Sequence, residues 1–133
     1  QEENKPPYQT IIPAMATKNE ELWLSFGVMG GFQQPQGQLQ VISNMVDHNM
    51  DSQEALDSLR FSVDVDENGH VLVESDLDQE VVKELRAKGH DVTVVNGYER
   101  ILFGGGQIIS RDSDTGLLTG GSEPRKDGAA IGY

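Results

Sequence analysis

The chain has 133 residues, of which 36% are hydrophobic and 6% aromatic, so its apolar side chains suffice for one modest core. The formal net charge of −12 argues against nucleic acid or an anionic membrane as a partner, because both would repel such a surface. With no cysteine, the chain has no disulfide, thiolate nucleophile or cysteine metal site. No apolar run approaches the roughly 20 residues that cross a bilayer.

The first predicted elements are two strands. Tyr8 to Thr17 favours an extended conformation, with Pro13 tolerated only where its missing N–H faces an edge or a bulge. Leu22 to Met29 is a near-continuous apolar run, which is typical of a strand buried on both faces. The short polar turn between the two strands makes them a predicted hairpin.

A glycine pair, Gly30 and Gly31, closes the second strand and leads directly into an amphipathic pattern. Glycine permits close approaches that a side chain blocks, and a helix N-terminus adds unpaired N–H groups and the positive end of a dipole. Such a turn can hold a developing negative charge as an oxyanion hole. The alternative is a tight strand-to-helix turn in which the glycines only relieve crowding.

Two helices are predicted next. From Pro35 to about His48 the apolar residues recur at helical spacing. Asp51 and Glu54 then form a predicted capping box for a short helix that ends at Leu59.

A second hairpin follows these helices. Residues 61 to 65 alternate between apolar and polar side chains, and Asn68-Gly69 is a strong turn signal before the next apolar stretch. The run from Asp64 to Gly69 also begins like a calcium loop. Ser75 stands where that loop needs its acidic residue, so the hairpin is the favoured interpretation.

The last predicted elements are a helix and three strands. Asp78 is the predicted N-cap of a helix that ends before Gly89. The three strands are Val92 to Val95, Ile101 to Arg111 and Leu117 to Thr119. No linker marks a second domain, and this order of strands and helices indicates an α+β fold with layered sheets.

The sequence lacks the motifs of serine hydrolases and of phosphate-, metal- and dinucleotide-binding sites. There is no Gly-x-Ser-x-Gly elbow and no phosphate loop ending in Gly-Lys-Ser/Thr. His48, His70 and His90 have no second ligand at helical or hairpin spacing, so neither a metal nor a cofactor is expected. The run Gly104-Gly105-Gly106 lacks the further glycine of a dinucleotide fingerprint and is interpreted as a close-packed backbone crossing.

Five segments, spread in order along nearly the whole chain, carry a resemblance to a known family. They are Pro7 to Pro13, Gly27 to Gly37, Asn44 to Arg60, Gly104 to Ile109 and Gly121 to Tyr133. Together they resemble the γ-glutamyltransferase family of N-terminal nucleophile hydrolases, in the later part of its small, catalytic subunit. The resemblance implies that residues 1–133 are an incomplete domain, part of a four-layer αββα sandwich.

The resemblance also implies roles for individual residues. Gly30 and Gly31 align with the glycine pair whose backbone N–H groups hold the tetrahedral oxyanion. Thr10 aligns with the second of two serines that help bind the substrate's α-carboxylate. Gln9-Thr10-Ile11 stands where the glutathione-cleaving members have Ser-Ser-Met, so Gln9 brings an amide to the same substrate-binding segment.

In that family an N-terminal threonine attacks the γ-glutamyl amide and forms an acyl-enzyme. Gln1 is not such a nucleophile, so the resemblance implies that the threonine lies upstream and that this chain alone is inactive. The implied partners are the upstream large-subunit portion, the start of the small subunit, and a small γ-glutamyl or acyl amide as substrate. Two alternatives stay open: an acylase acting on other side-chain amides, and a non-catalytic module that kept the fold.

Overall fold

The computed structural model describes residues 4–6, 10–64 and 69–132. The strands are β1 (Ala14–Lys18), β2 (Glu21–Met29), β3 (Phe61–Asp64), β4 (His70–Glu74), β5 (Val92–Val95), β6 (Gly105–Arg111) and β7 (Leu118–Ser122). The helices are α1 (Gln33–Asp47), α2 (Ser52–Asp57), α3 (Gln79–Ala87) and a 3₁₀ helix (Gly97–Phe103). The order β1-β2-β6-β7 forms an antiparallel sheet, and β3-β4-β5 forms a smaller sheet in which only β4 and β5 run parallel.

Helices α1 and α2 cover one face of the larger sheet. Leu24 and Val28 of β2 and Ile108 of β6 pack against Val41 of α1 and Leu56 of α2, and all five side chains are buried. This cluster is the main core of the described chain.

In the described chain the opposite face of the larger sheet is open, except where residues 126–130 cross β6 and β7. A Cβ on Gly120, which pairs with Ile109, would lie 3.0 Å from Ala130 Cβ. Met15, Ser25 and Ile109 lie side by side across β1, β2 and β6, and the side chains of Met15 and Ile109 are 73% and 52% exposed. The prediction that β2 is buried on both faces is therefore wrong for this chain by itself, because the helices cover only one face.

The predicted first hairpin is confirmed, with Ala14 of β1 opposite Phe26 of β2. Its first strand is shorter than predicted, since β1 begins at Ala14, directly after Pro13. Residues 10–12 bond instead to glutamine side chains of α1. The predicted strand residues 8 and 9 lie outside the described residues.

The capping predictions are confirmed. Asp51 and Glu54 make both halves of a capping box at the start of α2. The side chain of Asp78 accepts from an amide in the first turn of α3. Gly89, at φ +94°, follows the last turn of α3 and donates to the Arg86 carbonyl, as in a Schellman motif.

Strand β3 pairs antiparallel with β4, with Asp64 opposite His70, which confirms the second predicted hairpin. The turn residues 65–68, on which the calcium-loop alternative also depends, lie outside the described residues.

The first part of the strand predicted from Ile101 is wrong. Gly97–Phe103 is a 3₁₀ helix, and β6 begins only at Gly105. Gly104 separates the two at φ +86°, and a Cβ on it would lie 2.6 Å from the Met29 carbonyl oxygen. The glycine run is thus a close-packed crossing, as predicted, where β6 meets the end of β2.

A buried charge cluster, formed by Arg60, Glu74, Glu123 and Arg125, joins the two sheets. Arg60 Nη1 and Arg125 Nη1 donate to the two carboxylate oxygens of Glu123 at 2.8 and 2.7 Å. Arg125 Nη2 also donates to Glu74 of β4, which accepts from the Arg60 backbone N–H at 2.7 Å. All four residues are buried or nearly so, and their formal charges cancel.

Burial by itself raises the pKa of the Glu74 carboxyl. Hydrogen bonds from Arg125, the Arg60 amide and Arg100 outweigh it and hold that pKa below its ordinary value. A carboxyl whose pKa is lower in the folded than in the unfolded state stabilises the fold above the unfolded pKa. This stabilisation is lost as the pH falls from about 4.3, the ordinary glutamate value, through the lower folded pKa.

We expect Glu74→Gln to lower the free energy of unfolding by about 3 kcal/mol at pH 7, because it leaves buried guanidinium charge uncompensated. As the pH falls from about 4.3 through the lower pKa of the folded protein, the wild-type carboxyl becomes neutral as well, so the difference in Tm between the two proteins should shrink. Thermal melts of the full-length protein from pH 7 to pH 3 measure this. The exposed Glu84→Gln is the control and should change Tm little; an equal Tm for Glu74→Gln at pH 7 would contradict the assignment.

Candidate active site

Gly30 and Gly31 form the turn between β2 and α1. Their φ angles are +152° and +58°, and their carbonyls accept from the amides of Gln33 and Gln34 at 3.0 and 3.1 Å. Both glycines are exposed. Within the described ranges no hydrogen bond uses either of their N–H groups, so two backbone donors stay available to a ligand.

The turn is supported on one side and open on the other. A Cβ on Gly30 would lie 3.0 Å from Gly104 Cα, whereas a Cβ on Gly31 would have no neighbour within 4 Å among the described residues. The glycine run at the start of β6 therefore supports the turn closely. Gly31 faces free space, where a reacting group has room.

The start of α1 adds to the positive potential at this turn. Phe32 is the N-cap residue and supplies no side-chain hydrogen bond, and the first turn contains no acidic residue. The first two amides of the helix donate to the Gly30 and Gly31 carbonyls, but the first turn places no negative charge at the positive end of the helix dipole. An anionic oxygen at the turn would be favoured on electrostatic grounds.

The predicted substrate-binding residue Thr10 is held near this turn by α1. Its carbonyl accepts from Gln34 Nε2 at 2.6 Å, and the Ile12 amide donates to Gln34 Oε1 at 3.3 Å. Gln38 Nε2 donates to the Ile12 carbonyl at 2.5 Å. Thr10 is exposed, and in the described part of the chain its hydroxyl bonds to nothing. Gln9, the other predicted residue, lies outside the described residues.

Sequence reasoning missed the glutamines of α1. Gln34 and Gln38 bind the segment 10–12, while Gln36 and Gln40 bind the backbone of β3. Each pair is spaced i, i+4, which places its members on one side of a helix. That spacing within Gln33 to Gln40 is the signal that could have found them.

Gln36 and Gln40 pair with β3 much as a neighbouring strand would. Gln36 donates to the Val63 carbonyl at 3.0 Å and accepts from the Val63 amide at 2.8 Å. Gln40 does the same with Phe61, at 3.0 and 2.9 Å. These four bonds satisfy edge backbone groups of β3 and fix α1 against the smaller sheet.

No group of three or more His, Cys, Asp or Glu residues in the described ranges could hold a metal ion. Among the described helices, none combines the length and apolarity that a membrane span requires.

The family model for gamma-glutamyltranspeptidase matches residues 2–133. The chain belongs to the gamma-glutamyltranspeptidase family. The predicted α+β class is confirmed. The similar solved structures are N-terminal nucleophile hydrolases, which is the fold type that the sequence analysis predicted.

Three relatives illustrate the range of similarity. The chain is 34% identical to the glutathione hydrolase-like YwrD proenzyme of Bacillus subtilis, over 98% of this chain and 25% of that protein. It is 44% identical to the cephalosporin acylase of Bacillus halodurans, with a TM-score of 0.83 over 95% of this chain and 23% of that one. It is 26% identical to Helicobacter pylori gamma-glutamyltranspeptidase, with a TM-score of 0.82 over 95% of this chain and 66% of that one. The chain thus spans about a quarter of the curated relatives' length.

If the Gly31 amide holds an oxyanion, Gly31→Ala should lower kcat by about 100-fold, because alanine keeps the N–H but its methyl group occupies space that the oxyanion needs, which costs as much as losing one such donor. The added methyl would meet no atom of residues 4–6, 10–64 or 69–132 within 4 Å, so it enters the space in front of the turn. Gly97→Ala is a matched control, because Gly97 has φ +57° and an equally open Cβ position. Both variants should lose about 1 kcal/mol of stability to the left-handed backbone. Amide turnover and Tm of the full-length protein measure the two effects; equal kcat in both variants would refute the role.

Proposed function

We propose that this chain forms the oxyanion- and carboxylate-binding part of an amide hydrolase or transpeptidase. Its substrates are γ-glutamyl amides or related acyl amides, and the reaction proceeds through an acyl-enzyme on an N-terminal threonine upstream of this chain. One observation carries the proposal. Gln34 bonds to Gly31 with its backbone and to Thr10 with its side chain, so the two segments with predicted roles lie within one residue's reach.

The reaction divides between this chain and the upstream portion. The threonine hydroxyl adds to the amide carbonyl, and the negative oxygen that forms is held by the N–H groups of Gly30 and Gly31. The C–N bond then breaks, the amine leaves with a proton passed on by the threonine's own α-amino group, and an ester remains on the threonine. Water or an acceptor amine cleaves that ester. Thr10 meanwhile holds the substrate's carboxylate.

The open face of the larger sheet supports an upstream partner. Met15, Met29 and Ile109 are each more than half exposed, and an apolar sheet face is stable only when another layer covers it. Relatives described as proenzymes make a larger precursor the natural source of that layer. We propose that the upstream portion covers this face and supplies the nucleophile.

An acylase acting on other side-chain amides is the second candidate. The 44% identity to a cephalosporin acylase favours it, and so does Gln9 in place of the family's serine, because its amide differs in reach and charge preference from a hydroxyl. A panel containing a γ-glutamyl anilide, glutathione and an acylated cephalosporin distinguishes the candidates through their kcat/KM values. A full-length protein that processes none of them, and that does not split into two subunits by intact mass, would favour the non-catalytic module.

Thr10→Val removes a donor while keeping the shape of the side chain. If the hydroxyl meets a charged carboxylate, binding of a γ-glutamyl substrate should weaken by about 2 kcal/mol, which appears as a higher KM. Thr17→Val, at an exposed position of β1, is the control and should leave KM unchanged. Unaltered kinetics for Thr10→Val on γ-glutamyl amides, with good activity on other acyl amides, would favour the acylase.

The chain alone should have no hydrolase activity, because covalent catalysis needs a nucleophile paired with a base. We expect the purified 133-residue segment to self-associate through its open sheet face and to release no anilide from a γ-glutamyl anilide. Release that copurifies with the segment, and that is abolished by a mutation within it, would place the nucleophile in this chain.

A further inference from the structure

Gln34 joins the Gly30 and Gly31 turn to the segment 10–12 through three hydrogen bonds. Its backbone N–H donates to the Gly31 carbonyl at 3.1 Å. Its side-chain amide donates to the Thr10 carbonyl at 2.6 Å and accepts from the Ile12 amide at 3.3 Å. The residue is only 8% exposed, so water competes little for these bonds.

We infer that Gln34 is a positioning residue that sets the separation between the carboxylate-binding segment 10–12 and the oxyanion turn. The inference rests on the proposed function, since it assigns Gln34 a part in binding the same substrate. Gln34 need not touch that substrate, because it acts through the Thr10 backbone.

The segment 10–12 precedes β1, and Gln34 binds backbone groups at both of its ends. Strand β1 begins only at Ala14, and the Ile12 carbonyl oxygen would lie 4.0 Å from a Cβ on Gly27 of β2. A planar carboxamide offers one donor and one acceptor side by side, which matches the Thr10 carbonyl and the Ile12 amide. Neither glutamate nor methionine can make both bonds.

Gln34 bonds to the oxyanion turn through its backbone and to the segment 10–12 through its side chain, so a substitution should change KM without changing kcat. A substitution keeps its backbone N–H, so the bond to Gly31 and the oxyanion turn persist. The side-chain bonds to Thr10 and Ile12 vanish, and of the described bonds between α1 and the segment only that from Gln38 to the Ile12 carbonyl remains, so Thr10 is held less firmly. Loss of an interaction that holds the substrate equally in the ground and transition states raises KM and leaves kcat unchanged.

Gln34→Met in the full-length protein, assayed with a γ-glutamyl anilide, should raise KM about tenfold, the effect of roughly one net hydrogen bond. Its kcat should stay within about threefold. Gln36→Met is the matched control, because Gln36 makes the same kind of two-bond pair with Val63 at 3.0 and 2.8 Å. Both variants should lose similar Tm, whereas KM should rise only for Gln34→Met.

Two further measurements separate positioning from general loosening. With an analogue whose α-carboxylate is a neutral carboxamide, the KM ratio of Gln34→Met to wild type should fall toward one. Amide hydrogen exchange should quicken at Ile12 in Gln34→Met and stay slow in Gln36→Met.

The outcomes distinguish the two proposals. Equal KM changes in the two variants, or unchanged exchange at Ile12 in Gln34→Met, overturn the role of Gln34 while the proposed function stands. A wild-type protein that cleaves no γ-glutamyl or acyl amide overturns the proposed function and the role of Gln34 with it.

Discussion

The buried charge cluster is the interaction on which the relative position of the two sheets depends. Glu123 accepts from the Gly106 amide of β6 as well as from Arg60 and Arg125, and Glu74 belongs to β4 of the smaller sheet. Two carboxylates and two guanidinium groups leave water together only if every charge is compensated. The cluster therefore permits one arrangement of the sheets and penalises any displacement that separates a pair.

Carboxamide side chains provide the second set of constraints. A carboxamide can bond to the N–H and the C=O of one residue at once, as the backbone of an adjacent strand does. Gln36 bonds to Val63 in this way, and Gln53 bonds to Ser122. Buried backbone groups at a sheet edge need such partners. A single helix thus closes the edge of β3 and also holds the segment 10–12, so movement of α1 would affect the core and the candidate site together.

The candidate site follows from these constraints. The end of β2 is fixed by the core, Gly104 supports Gly30 closely, and α1 begins where its uncapped N-terminus faces the turn. Gln34 then brings Thr10 to the same place. Two exposed segments outside the strands are brought together because each is bonded to the same helix, which is how a scaffold usually orients binding loops.

Local patterns predicted most of the elements. The capping box at Asp51, the cap at Asp78 and the terminal Gly89 work through neighbours in the sequence, so short-range chemistry sufficed. The 3₁₀ helix before Gly104 was missed, because the close approach of Met29 that requires a break there is a long-range contact. The sequence predicted a turn between a strand and a helix at Gly30 and Gly31. The oxyanion role of that turn was suggested by the resemblance to a family and not by periodicity.

The sequence by itself determined where α2 and α3 begin, which strands form the two hairpins, and the family to which the chain belongs, because these follow from local backbone chemistry and ordered motifs. Only the tertiary structure decided that Glu74 and Glu123 share the guanidinium group of Arg125 and that Gln34 meets Thr10 across 24 positions of the chain. Hydrogen bonds of that kind depend on how separate elements pack, and nothing in the spacing of the residues encodes the distance between them.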